Sequence, residues 1–176
     1  LKTPTDVAAL VRIPAHSLSV EKACEDLCLV LDGVQDPGNM GTILRLADWF
    51  GIREVVCSPH SADCFNPKVV QATMGAIARV KVHYTELEAF LTEAARLGVP
   101  IYGTFLDGGN IYGARLSERS VVVMGSEGRG ISPEAARYVS DRLYIPPYPP
   151  GNPTSESLNV AVATAIVCAE FRRPRG

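Results

Sequence analysis

Three short stretches carry the residue types that could do chemistry: Asp-Pro-Gly-Asn-Met-Gly-Thr-Ile-Leu-Arg at 36–45, Gly-Ser-Glu-Gly-Arg-Gly at 125–130 and Ser-Leu-Asn-Val-Ala-Val-Ala at 157–163. In the first, the strand-like run 27–31 meets a Pro-Gly turn, and a helix starts near Asn39. Asn39 reads as its N-cap, and the free amides of a helix start suit a phosphate or a carboxylate. Arg45 lies less than two turns further on, among Ile43, Leu44, Leu46 and Ala47. A cation in such company is costly unless it faces a pocket or pairs with a carboxylate. A capped helix with an ion-paired arginine explains this stretch equally well. In the second stretch, three glycines let the backbone approach a ligand closely. It matches neither the Walker pattern nor GxGxxG, and it also reads as a plain turn into a helix opened by Ser132-Pro133. In the third, Ser157 or Ser155 caps a last helix that is apolar on nearly every face.

Other chemistries find no support. There is no GxSxG nucleophile elbow and no HExxH metal motif. Cys24, Cys28, Cys57, Cys64 and Cys168 form no CxxC pair, and His16, His60 and His83 have no ligand-like spacing. The odd thiol count reads as buried free cysteines of a reducing compartment, and no metal is expected. Asp32 and Asp36 flank a turn and read as turn chemistry rather than an acid/base pair.

The elements that must position these stretches alternate. Strand candidates are 27–31, 54–57, 80–83, 99–105, 120–124 and 143–145; helix candidates are 40–50, 67–74, 86–97, 133–139 and 158–172. The pattern predicts an α/β domain with a mostly parallel sheet flanked by helices. Continuous apolar runs such as Val121-Val122-Val123-Met124 fit a sheet covered on both faces. Ligands of such sheets bind at the carboxyl ends of strands, which is where the three stretches fall. The last helix is expected either in the core or against a second copy of the chain, so a homodimer is expected.

At 176 residues, 47% hydrophobic and 20% charged, the chain fits one well-cored domain. No secretory signal or membrane-length apolar run is visible, and a cytoplasmic location is expected. A formal net charge of −2 lacks the basic footprint of a free-standing nucleic-acid binder. Residues 1–22 read as a linker, with a short helix possible over 6–12, and residues 23–176 as the domain proper. The Leu start fits removal of an upstream part.

Taken in order, the three stretches resemble the three motifs of the SpoU class (TrmH-like) of the SPOUT superfamily: Asp-Pro-Gly-Asn-x-Gly-x-Ile-x-Arg, Gly-Ser-Glu-Gly-x-Gly and Ser-Leu-Asn-Val-x-Val-Ala. Residues 66–76 resemble the helix that follows the first motif in that family. These are S-adenosylmethionine-dependent RNA ribose 2′-O-methyltransferases that act on rRNA or tRNA and release S-adenosylhomocysteine. The resemblance implies a C-terminal deep trefoil knot and a homodimer. Many members carry an N-terminal RNA-recognising domain, residues 1–22 look like the linker that follows one, and the net charge of −2 leaves much of the RNA affinity to such a domain. It assigns cofactor contacts to Gly125, Ile145 and Leu158, with Ser126 and Pro146 beside them and Thr104 and Leu106 closing the pocket. It places Arg45 as the catalytic arginine and Asn39, Glu127, Ser157 and Asn159 around the acceptor. The implied role of Arg45 is to hold the phosphate beside the acceptor and stabilise developing alkoxide charge, because a guanidinium stays protonated. The proline-rich run 146–153 is longer than the usual family loop and borders the cofactor pocket. Two other functions remain open: a non-catalytic RNA-binding relative, and a base-methylating relative.

Overall fold

The computed structural model describes residues 10–149 and 157–174. Its elements, in chain order, are α1 (Val20–Ala23), β1 (Leu27–Asp32), α2 (Pro37–Trp49), β2 (Glu54–Cys57), α3 (Pro67–Thr73), β3 (Lys81–Tyr84), α4 (Leu87–Arg96), β4 (Ile101–Asn110), β5 (Ser120–Gly125), α5 (Pro133–Ala136), β6 (Asp141–Tyr144) and α6 (Val160–Phe171). The six strands form one sheet in the order β3-β2-β1-β5-β4-β6, and every pairing is parallel.

The alternation of side chains along the central strands builds two cores. Leu27, Leu29 and Leu31 of β1 and Val122 and Met124 of β5 face α2 and α6, against Ile43, Leu44, Val167 and Phe171. Cys28 and Val30 of β1 and Val121 and Val123 of β5 face α4, against Phe90, Leu91 and Ala94. Both faces are covered, which is why these strands read as unbroken apolar runs. All five cysteines are free and buried.

The loops leaving β1 and β5 diverge, because β1 continues towards β2 and β5 continues past β4 to β6. Such a switch point opens a crevice at the strand ends. On the far side, Arg172 binds both carboxylate oxygens of Asp26 at 3.0 and 2.9 Å and donates to the Phe50 carbonyl at 3.0 Å. That cluster ties the end of α6 to the start of β1 and the end of α2.

Several expectations are corrected. Helix α2 begins at Pro37 rather than near Asn39, and its cap is Asp36, whose Oδ1 accepts the Asn39 amide N–H at 2.7 Å. Pro37 lacks an amide proton, so it takes the first helical position without loss. Helix α6 is capped by Asn159 rather than Ser157: Asn159 Oδ1 accepts from the amides of Ala161 and Val162 at 3.0 and 3.2 Å. Ser155, the other expected cap, lies outside the described residues. Arg45 neither faces a pocket nor pairs with a carboxylate among the described residues. The turn of α2 buries Ile43, Leu44 and Ala47 and leaves Thr42, Arg45 and Trp49 on the solvent face, so the cost of burying a cation does not arise. Helix α5 is shorter than the 133–139 expected, and β4 runs five residues past the expected end. Within the expected linker, α1 starts at Val20 under a Ser19 cap, while residues 1–9 lie outside the described residues.

Candidate functional site

A cavity of about 510 Å³ opens at the carboxyl ends of β4, β5 and β6. Its floor is apolar, with Met124 from β5, Leu143 from β6, Ile131, and Val160 and Ala163 from α6. Its rim is polar, with Ser126, Glu127, Arg129 and Ser157.

The wall formed by β4 depends on an irregularity. Thr104 and Gly109 of β4 both align with Leu143 of β6, so residues 105–108 bulge out of the sheet. A bulge re-aims side chains, and here it turns Phe105 and Leu106 to line the cavity. Gly108 allows the crossing, since a Cβ there would stand 2.6 Å from the Leu143 carbonyl carbon. The Arg142 guanidinium lies 3.6 Å over the Phe105 ring and binds Asp107 at 2.6 Å, which steadies the bulge.

Over β5 the chain folds back as a tight hairpin. Ser126 and Gly130 exchange two backbone hydrogen bonds, at 3.1 and 2.8 Å. The hairpin lies so close to Gly125 that a Cβ there would come within 2.1 Å of the Gly130 carbonyl carbon. Asp32, at the end of β1, holds the outgoing strand of this loop: its Oδ2 accepts the Ser132 amide N–H at 2.7 Å. The two acids that read as turn chemistry therefore act as backbone acceptors, one for a helix cap and one for the loop.

At the rim the three sequence stretches meet in one hydrogen-bonded group. Glu127 Oε1 accepts from Asn39 Nδ2 and from Asn159 Nδ2, each at 2.7 Å, and Asn159 Nδ2 also lies 3.0 Å from Asn39 Oδ1. An ionised carboxylate with two amide donors is a strong, directional junction.

Of the residues singled out from sequence, Thr104, Leu106, Gly125, Ser126, Glu127, Ile145, Ser157 and Leu158 line the cavity. Asn39 and Asn159 join it through Glu127. Pro146 is not among the lining residues, and Arg45 stands apart on the outer face of α2. Residues 150–153 of the proline-rich run lie outside the described residues. Sequence reasoning missed Phe105, Arg129, Tyr144, Val160 and Ala163. Val160 and Ala163 were findable from their helical spacing, and Arg129 from its place inside the glycine-rich stretch. Phe105 and Tyr144 carried no signal, because the bulge that places them is a long-range feature.

The cavity lining supplies groups for binding and positioning and no thiol nucleophile. No cysteine lines the cavity, and burial pushes the Cys24 thiol up to about 11 and the Cys168 thiol up to about 12. Among the described residues no cluster of three or more His, Cys, Asp or Glu side chains comes together. The apolar floor, the glycine-backed hairpin and the polar rim fit a ligand with an apolar body and polar or charged groups at one end. Gly125, Gly128 and Gly130 all line the cavity, so backbone groups border the ligand space there.

Known proteins place this geometry in context. The model of the SpoU rRNA Methylase family matches residues 26–169. The chain is 35% identical over 172 residues to the 23S rRNA (guanosine(2553)-2′-O)-methyltransferase RlmP of Bacillus subtilis, covering 97% of this chain and 66% of that protein. Among solved structures, a TrmH-family protein from Porphyromonas gingivalis is 56% identical with a TM-score of 0.80, covering 85% of this chain and 60% of that one. The AdoMet-bound rRNA methyltransferase from Sinorhizobium meliloti is 32% identical with a TM-score of 0.77, covering 85% and 56%. The chain thus spans less than two thirds of the length of these relatives.

Proposed function

The chain belongs to the SpoU rRNA Methylase family, and from that premise we propose that it is the methyltransferase domain of an S-adenosylmethionine-dependent enzyme that methylates a ribose 2′-hydroxyl of rRNA or tRNA. One observation carries the reading: Glu127 bonds Asn39 and Asn159 at the rim of an apolar cavity, uniting the three family motifs at the sheet switch point. The names of the relatives, rRNA 2′-O-methyltransferases and an AdoMet-bound protein, support the choice of reaction and cofactor.

In this reading Gly125, Ser126, Ile145 and Leu158 hold the nucleoside part of the cofactor, with Thr104 and Leu106 as the β4 wall; Pro146 serves by shaping the loop after β6. The bound cofactor supplies a methyl group on a positively charged sulfur, already activated for displacement. The protein's task is then to orient the 2′-hydroxyl and assist loss of its proton. Asn39, Glu127, Ser157 and Asn159 bound the acceptor side. Arg45 stands apart from this chain's own cavity, so in this reading it works across the dimer interface, binding the phosphate next to an acceptor ribose held by the second copy and stabilising charge that develops on the 2′-oxygen. Its guanidinium stays protonated, so the proton passes to that phosphate or to water.

A homodimer belongs to the same proposal. The outward face of α2 exposes Trp49 at 81% and α6 exposes Val162 at 50%, and the two helices pack together. A second copy covering these apolar side chains would also bring Arg45 into an interface. The C-terminal trefoil knot is proposed on the family premise, with β6 at the sheet edge and α6 returning to the centre. A cytoplasmic setting suits five buried free thiols; no helix among the described residues is long and apolar enough to cross a membrane. With a net charge of −2, RNA affinity is proposed to come largely from outside residues 23–176, with residues 1–22 as the linker.

The test is to incubate the protein with unmodified RNA and S-adenosylmethionine, digest the RNA and identify the methylated nucleoside by mass spectrometry. Methyl on ribose is expected; methyl on a base, or none, overturns the reading. Arg45→Lys should lose turnover by about tenfold or more, since a lysine lacks the planar two-pronged donor set. Nearly full turnover would exclude Arg45 from phosphate binding and charge stabilisation at the acceptor.

A further inference from the structure

Among the described residues, the cavity lining contains one cation, Arg129, and one anion, Glu127. Arg129 occupies the variable position of the Gly-Ser-Glu-Gly-x-Gly motif, so the family pattern gives it no role. The hairpin that carries both is fixed at its base by the Ser126–Gly130 pair and internally by the Arg129 amide, which donates to Ser126 Oγ at 3.3 Å. Arg79, Arg96, Arg137, Arg142, Arg172 and Arg173 all have carboxylate partners. Arg129 has none among the described residues. Glu127 spends Oε1 on both asparagine amides, and its Oε2 has no hydrogen bond among the described residues. The hairpin tip therefore presents a guanidinium and a carboxylate oxygen, two residues apart, above an apolar floor.

That arrangement matches a ligand with an apolar body and a zwitterionic head. We infer that Arg129 binds the α-carboxylate of the cofactor's amino-acid tail, with Glu127 placed for the α-ammonium. The inference rests on the S-adenosylmethionine reading and goes beyond it by naming a tail-recognising residue that the family motif leaves open. A guanidinium offers two parallel donors to a carboxylate, and the rigid hairpin limits the entropy lost on binding.

The test uses two ligands that differ in the tail. S-adenosylhomocysteine carries the amino-acid head, whereas 5′-methylthioadenosine keeps the nucleoside and thioether without it. Each is titrated by calorimetry into the wild-type protein, Arg129→Gln and Arg129→Lys. The expected result is a loss of about tenfold in S-adenosylhomocysteine affinity for Arg129→Gln, the size of one charge-assisted contact. Affinity for 5′-methylthioadenosine should not change, and Arg129→Lys should fall between. Equal loss for both ligands would mean a general disturbance of the hairpin and overturn the assignment. No loss for either ligand also overturns it; if RNA binding then weakens, Arg129 contacts a nucleic-acid phosphate instead. If wild-type protein binds neither ligand, the cofactor reading itself fails and takes this inference with it. Wild-type binding with an indifferent Arg129→Gln sinks this inference alone.

Discussion

Replacing Gly125 with alanine is the sharpest probe of the cavity, because it adds a single methyl at the closest approach. A Cβ there would stand 2.1 Å from the Gly130 carbonyl carbon and 2.2 Å from the Ile131 nitrogen, where ordinary contact begins at 3.4 Å. The obstacle is backbone, so no side chain can swing away, and the hairpin must retreat by about 1 Å or more. The Ser126–Gly130 hydrogen bonds, at 3.1 and 2.8 Å, cannot survive such a shift at hydrogen-bonding distance. Overpacking of this kind costs about 1–3 kcal/mol. The sheet beneath is untouched, so the fold should persist with a lower urea midpoint. The hairpin displacement carries Glu127 and Arg129 away from the cavity, and calorimetry should show S-adenosylhomocysteine affinity reduced by at least about tenfold. A Gly125→Ala protein with wild-type affinity would refute the claim that the hairpin's close seat on Gly125 builds the site.

Further outcomes follow from the rim, the far-side ion pair and the thiols. Asn159→Ala should lower stability by about 1 kcal/mol through loss of the α6 cap, whereas Asn159→Asp keeps the cap but faces Glu127 with a second carboxylate. Both variants should therefore melt at lower urea, the aspartate protein regaining stability as the pH is lowered and the carboxylate pair takes up a proton, and the aspartate protein should be at least about tenfold slower. Hydrogen bonds from Arg172 hold the Asp26 carboxyl below its ordinary value of 3.8. Its stabilising contribution is complete above that value and is lost as pH falls through the depressed one, so acid titration of the urea midpoint should be shallower in Asp26→Asn. The five buried thiols should react with a disulfide reagent slowly in the native protein and fully in denaturant; rapid native labelling would contradict their burial and raised pKa.

How much of the fold and site was readable in the chain varied with the range of the physics involved. Strands β1 and β5 were legible because apolar continuity is a local record of burial on both faces. The start of α2 was misplaced because Asp36 and Asn39 are both good caps, and the decision falls to Pro37, which must sit inside the helix. The apolar neighbours of Arg45 in sequence suggest burial, but the turn of the helix decides: its phase puts Arg45 with Thr42 and Trp49 on the solvent face. The extension of β4 to Asn110 was not legible at all. Asp107-Gly108-Gly109 looks like a turn, and only pairing with β6, more than thirty residues away, holds it extended. The cavity wall made by Phe105 inherits that invisibility.

The rim explains why three weak local signals combine into one specific site. Asn39 and Glu127 are 88 residues apart, and Asn159 and Glu127 are 32 apart, yet both amides converge on one oxygen. Each asparagine has a second duty in its own element. Asn39 is held by the Asp36 cap through its backbone amide, and Asn159 Oδ1 starts α6. The helix so started lays Val160 and Ala163 into the cavity floor. The two partners of Glu127 Oε1 are neutral amides rather than a cation. Binding of the tail and construction of the floor thus meet in Glu127. For that reason substitutions at Asn39, Glu127 or Asn159 should disturb cofactor binding and methyl transfer together, whereas Arg45→Lys should leave S-adenosylhomocysteine affinity intact and reduce turnover alone.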